Sequence, residues 1–193
     1  MATRLCVYLG SNVGSSSAFV DAANELGRAF VAHGIGLVYG GGSVGLMGAL
    51  ADTVLANGGE VVGVIPQHLV DSEVSHASLT ALEVTASMHE RKARMAEIAD
   101  GFIVLPGGFG TLEEVAEILT WTQLGLLAKP VVFLDVEDFW TPLLAAFDVM
   151  VSAGFVRADH RNLAQRATTP AEAIRLATAP MPTIAHKWID RSS

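Results

Sequence analysis

Three glycine-rich stretches constrain this chain more than any other feature: GSNVGSSS at 10–17, GGGSVG at 40–45 and GGFGT at 107–111. Each follows a short apolar run and precedes a helical pattern. The runs are Leu5–Leu9, Gly36–Tyr39 and Phe102–Leu105. Behind the first loop, Phe19, Ala22, Ala23, Leu26, Ala29 and Phe30 stand at helical spacing over 18–33, and Gly34 closes that helix. The helices behind the other two loops should reach about Asn57 and about Leu126. Further strands are expected at Glu60–Ile65, stopped by Pro66, and at Pro130–Leu134, with a short one at 80–84. A helix is expected over Met88–Ala99, and two or three more complete the chain. This alternation predicts an α/β fold, a doubly wound parallel sheet with helices on both faces. No linker, repeat or low-complexity segment divides residues 1–193, so one domain is expected. Ligands of such sheets bind beyond the carboxyl ends of the strands, so the three loops should share one rim.

Composition narrows the function. With 51% hydrophobic and 17% charged residues, a chain of 193 residues can bury a sizeable core, which excludes intrinsic disorder. The net charge of −8 argues against a nucleic acid polymer or an anionic membrane as partner. Cys6 is the single cysteine, which excludes an intrachain disulfide or a Cys-based zinc site, and it reads as a small buried residue of the first strand. No signal-peptide core and no membrane-length apolar run occur, so a cytoplasmic protein is expected. The six histidines show no ligand spacing: His89-Glu90 begins like HExxH, but position 93 is Ala. No metal is expected. Ser15–Ser17 reads as loop and helix cap, since no GxSxG elbow is present.

The loops differ in what they can hold. Gly40, Gly42 and Gly45 match GxGxxG, but on the second βα unit. The acidic residue that a dinucleotide needs is missing from Ile65-Pro66-Gln67, and Glu60 lies at the wrong end of its strand. Tight packing is therefore the expected reason for Gly45 and Gly48. The GGFGT stretch suits an anion, because successive N–H groups at a helix N-terminus point at it and Thr111 adds a hydroxyl. No Walker lysine follows, so one phosphomonoester fits better than a triphosphate. Glu114 has two readings. Thr111-Leu112-Glu113-Glu114 can form a capping box; a phosphate on Thr111 would instead leave Glu114 free to act. In the 88–99 helix, Arg91 and Lys92 fall on or beside the apolar face of Met88, Met95 and Ala99, while Glu90 and Arg94 make an exposed pair. Arg91 has no local carboxylate. It either snorkels to solvent or meets an anion or Glu114 across the crevice.

Taken together, GGGSVGLMG at 40–48, SMHERKARM at 87–95, PGGFGTLEE at 106–114 and TWTQLG at 120–125 resemble the Lonely Guy family of cytokinin-activating phosphoribohydrolases, over about residues 4–175. Many members carry the label of possible lysine decarboxylase. The resemblance implies a Rossmann-like fold, a homodimer, and cleavage of adenosine-type 5′-monophosphates, AMP or N6-prenylated, to free base and ribose 5-phosphate. It implies a catalytic pair at Arg91 and Glu114, with phosphate on Gly107, Gly108, Gly110 and Thr111. Gly10, Ser11, Gly42, Met88 and Lys92 complete the expected substrate-binding set. Two departures stand out: Leu9-Gly10-Ser11 where relatives often have Cys-Gly-Ser, and Gln67-His68 where many place a glutamate near the strand end.

The chemistry expected of the pair is N-ribosyl hydrolysis. A carboxylate beside the ribose stabilises oxocarbenium-like charge and handles water. Arg91 either positions Glu114 or holds the ribose and phosphate. No cofactor is expected. Decarboxylation would need pyridoxal phosphate on a lysine, and of Lys92, Lys129 and Lys187 only Lys92 stands in a crevice motif. The alternative function is a nucleotide-binding or sensing protein without catalysis. Met88, Met95 and Trp121 are candidate apolar surface for the homodimer.

Overall fold

The computed structural model describes residues 2–70 and 75–181. In chain order the elements are β1 (Arg4–Tyr8), α1 (Ser17–Ala32), β2 (Gly36–Tyr39), α2 (Gly45–Ala56), β3 (Val61–Pro66), α3 (Gln67–Val70), β4 (Ala81–Thr85) and α4 (Met88–Ile98). There follow β5 (Gly101–Val104), α5 (Phe109–Gln123), β6 (Val131–Leu134), a 3-10 turn at Val136–Asp138, α6 (Thr141–Ser152), α7 (Ala158–Arg161), β7 (Ala164–Ala167) and α8 (Pro170–Ala177).

The seven strands form one parallel sheet in the order β4-β3-β2-β1-β5-β6-β7. The α/β expectation therefore holds, and the sheet is doubly wound. Alternate strand residues bury opposite faces, as the period of two requires. Leu5, Val7, Leu37, Val61, Ile103 and Val132 pack with Leu26 and Phe30 of α1, Leu50 and Val54 of α2 and Ile174 of α8. Cys6, Tyr8, Val38, Val62, Phe102, Val104 and Phe133 pack with Met95 of α4, Val115 and Ile118 of α5 and Leu144 of α6.

Winding reverses beside β1, whose neighbours are β2 on one side and β5 on the other. Such a switch point opens a crevice at the carboxyl end of the sheet. The loops around it are tied to one another: Gly10 N–H donates to Pro106 O at 3.1 Å, and Leu46 N–H to Gly10 O at 3.1 Å. Gly45 permits this closeness. Its φ is +63°, and a Cβ there would lie 2.2 Å from the Ser11 carbonyl carbon. At Gly48 the obstruction would be Ser43 O. Both glycines serve packing as expected, but against loop backbone rather than the sheet.

Three expectations are corrected. The strand β7, AQRA, has no apolar run to announce it; its Ala164 and Ala167 point inward, while Arg166 faces Asp135. Arg94 does not pair with Glu90. Its Nε donates to Glu83 at 2.6 Å and its Nη1 to Glu97 at 2.8 Å, while the Glu90 carboxylate turns back to the Ala86 N–H at 3.0 Å. Met95 is fully buried, so it cannot be dimer surface.

Candidate active site

The third glycine loop is shorter than its sequence suggests. The N-cap of α5 is Gly108, so Phe109, Gly110 and Thr111 form its first turn. Glu114 then stands in the second turn, three residues past the place where a capping glutamate must be. The capping-box reading of Thr111 and Glu114 fails on this geometry. No side chain caps α5. Its first N–H groups have no intrahelical acceptor, and they lie at the positive end of the helix dipole, on a turn that lines the crevice. Gly107 packs onto this turn so closely that a Cβ would lie 2.1 Å from Thr111 Oγ1.

The carboxylate freed from capping has a partner from another element. Arg91 of α4 donates from Nη2 to Glu114 Oε1 at 2.6 Å, and both side chains are about nine-tenths buried. The snorkelling alternative for Arg91 is thus excluded. Burial pushes the Glu114 pKa up to about 7, with Glu113 and Glu117 adding to the rise and Arg91 and Lys92 opposing it. Arg91 Nε is buried without a hydrogen-bond partner, so the guanidinium keeps a donor to offer.

Lys92 takes a different place from the one expected. It is 3% exposed and its ammonium binds Glu113, with Glu117 Oε2 at 3.1 Å. It braces α4 against α5 and does not line the crevice. Burial lowers its pKa but the two carboxylates outweigh this, and the ammonium is held above its ordinary value. A Schiff-base lysine needs the opposite shift. Lys129 is spent on the α4 carbonyls of Ala96 and Glu97, and Lys187 lies outside the described residues.

The crevice holds about 700 Å³, a volume suited to a small ligand. It brings together Gly10, Ser11, Gly42, Met88, Arg91, Gly107, Gly108, Gly110, Thr111 and Glu114, so every expected site residue except Lys92 lines it. Sequence reasoning missed its apolar walls. On the β3 side stand Met47, Ile65 and Leu69; on the β6 side stand Phe19 and Phe139, edge to face with centroids 5.8 Å apart. Phe139 is aimed by its own turn. Buried Asp135 accepts from Trp140 N–H at 2.6 Å, Thr141 Oγ1 at 2.8 Å and Arg166 Nε at 2.7 Å, and Glu137 and Asp138 take positive φ. The Lys92 partners did carry a signal: Glu113 and Glu117, four apart on one helix face, call for a cation from elsewhere. Among the described residues no three His, Cys, Asp or Glu side chains converge on a metal-sized site.

The chain is similar to known proteins. The family described as "Possible lysine decarboxylase" matches residues 47–177. A relative in Oryza sativa subsp. japonica, named probable cytokinin riboside 5′-monophosphate phosphoribohydrolase, is 51% identical over 89% of this chain and 77% of its own length. An Arabidopsis thaliana relative, named cytokinin riboside 5′-monophosphate phosphoribohydrolase, is 44% identical over 89% of this chain and 81% of its own. Among solved structures, the molybdenum cofactor binding protein of the phototrophic bacterium Rippkaea orientalis superposes with a TM-score of 0.70, covering 91% of this chain and 95% of that one. At 22% identity that likeness shows the fold alone. With a profile spanning most of its length and relatives this similar, the chain belongs to the Lonely Guy family of phosphoribohydrolases, to which the decarboxylase label also attaches.

Proposed function

We propose that this chain hydrolyses the N-glycosidic bond of adenosine-type 5′-monophosphates, AMP or its N6-prenylated forms, to the free base and ribose 5-phosphate. The observation that carries the reading is the buried Arg91–Glu114 pair, one helical turn beyond the open N-terminus of α5 in the same crevice. A 5′-phosphate on the N–H groups of that turn and on Thr111 leaves the ribose beside Glu114. The names of the relatives support the same bond and the same substrate class.

The chemistry follows from the pair. As the bond from C1′ to the purine nitrogen breaks, its electron pair leaves with the base and positive charge grows on the ribose. The Glu114 carboxylate stabilises that charge. Water attacks C1′, and Glu114, with a pKa near 7, takes its proton. The departing purine takes up a proton from solvent on a ring nitrogen and Glu114 returns its proton to solvent, so one water is consumed for each bond broken. Arg91 holds the carboxylate in place and keeps enough of it ionised near neutral pH. Lys92 neutralises Glu113 and Glu117, which would otherwise repel the phosphate and raise the Glu114 pKa further.

The same reading takes the chain as a cytoplasmic homodimer. A groove of about 260 Å³ between α5, α6 and α7 is lined by Leu112, Leu119, Phe147 and Met150, and Val149 and Phe155 stand exposed. This apolar face suits a second copy.

Incubation with AMP and with adenosine, followed by chromatography for free adenine, tests the proposal. Release from AMP and about 10²-fold less from adenosine is expected, since remote phosphate binding is used at the reacting centre. Equal efficiencies would remove the phosphate seat, and no release from AMP or N6-prenyl-AMP would remove the activity.

A further inference from the structure

The GxGxxG string has no dinucleotide to serve in the proposed reaction, and Gly40 within it needs a reason of its own. Its backbone is not left-handed, so conformation does not demand glycine there. Space does. A Cβ on Gly40 would fall 2.4 Å from Arg91 Nη2 and 3.2 Å from Arg91 Cζ. The third neighbour, Met47 Sδ, is at an ordinary 3.6 Å. The same Nη2 is the donor that reaches Glu114 at 2.6 Å.

We propose that Gly40 is a positioning residue of the active site: the space left by its missing side chain seats the Arg91 guanidinium and fixes it against Glu114. The inference rests on the hydrolase reading, with Arg91 and Glu114 as its working pair. Carbon and nitrogen in contact need roughly 3.5 Å, so a methyl at Gly40 moves Nη2 by about 1 Å. The guanidinium is the free end of a long side chain and yields before any backbone does. The fold is therefore preserved while the pair is pulled apart. The charged and titratable groups around Glu114 are Arg91 and Lys92 on α4, Glu113 and Glu117 on α5, and Cys6 and Tyr8 on β1. Of these, Arg91 supplies the two atoms nearest the Gly40 seat.

The test is Gly40→Ala, alone and combined with Arg91→Ala, read by turnover of AMP with enzyme in excess, by thermal unfolding, and by carbon-13 NMR titration of the Glu114 carboxyl. A misplacement of about 1 Å can cost on the order of 10²-fold in turnover. That fall is expected in Gly40→Ala, with KM for AMP and the unfolding midpoint near wild type and the Glu114 titration moved to higher pH. Added to Arg91→Ala, the substitution should cost nothing further, because residues acting through one another are not additive. Turnover within threefold of wild type, losses that multiply in the double variant, or an unmoved Glu114 titration would each overturn the proposal. If wild type itself releases no base, the hydrolase reading falls, and the titration alone still decides whether Gly40 seats Arg91.

Discussion

Glu114 is held between two opposed effects. Burial pushes its pKa up from 4.5 to about 7, and Arg91 resists that rise. A carboxyl titrating near neutrality is suited to accept a proton from water. It also makes two quantities depend on pH in opposite senses. Activity needs the carboxylate, so kcat/KM for AMP should climb with pH and reach half its plateau near pH 7. Stability runs the other way. Between pH 4.5 and 7 the folded chain retains a proton that the unfolded chain has lost, so this group's contribution declines as pH rises. Glu114→Gln should remove that decline, which amounts to on the order of 3 kcal/mol across the window. Calorimetric unfolding of both proteins from pH 5 to 8 measures it; parallel curves would mean that Glu114 titrates in its ordinary range. Lys92 belongs to the same balance. Lys92→Met leaves Glu113 and Glu117 unneutralised beside Glu114, so the activity profile should move to higher pH and KM for AMP should rise. An unchanged profile would assign Lys92 to bracing alone.

At the scale of elements, the site is a meeting of α4 and the first two turns of α5 over the end of β1. Thr111→Val tests the helix terminus while keeping its shape. Loss of one hydrogen bond to a charged group corresponds to roughly tenfold or more in KM for AMP, with turnover of bound substrate little changed. Steady-state kinetics check it, and an unaltered KM would move the phosphate elsewhere. Most of this was legible in the residues. Apolar runs followed by glycine loops gave the strands and their shared rim, and the helix expected over Met88–Ala99 from its spacing runs to Ile98. What could not be read has physical causes. Strand β7 has only two small inward residues and a charged one facing Asp135, so no periodicity marks it. The capping box failed because α5 begins at Phe109, two residues before Thr111, and helix starts inside glycine runs leave no side-chain signature. The Arg91 partner was one of three alternatives in sequence, since the Arg91–Glu114 contact crosses between elements 23 residues apart. Gly40 has no role legible in the sequence, because nothing in a GxGxxG pattern says whose side chain fills the space.

At the scale of the whole molecule, a chain of net charge −8 must hold an anion. In the proposed function it does so with backbone N–H groups at the sheet's switch point, since the charged residues lining the crevice are Arg91, Glu113 and Glu114. Raised salt should therefore weaken AMP binding only mildly, unlike a polycationic phosphate site. The apolar face of α5 and α6 predicts a dimer of the 20.3 kDa chain by light scattering at low micromolar concentration, and Phe147→Glu should shift it toward the monomer. The central claim, that Glu114 is the working carboxylate of a ribosyl hydrolase, is tested most directly by Glu114→Gln assayed for adenine release from AMP, with AMP binding measured by titration calorimetry on the same sample. The account predicts a folded protein that binds AMP and has lost on the order of 10²-fold or more of its turnover, because the amide keeps the shape but not the charge. Turnover above about a third of wild type, a difference worth under 1 kcal/mol in the barrier, would contradict it.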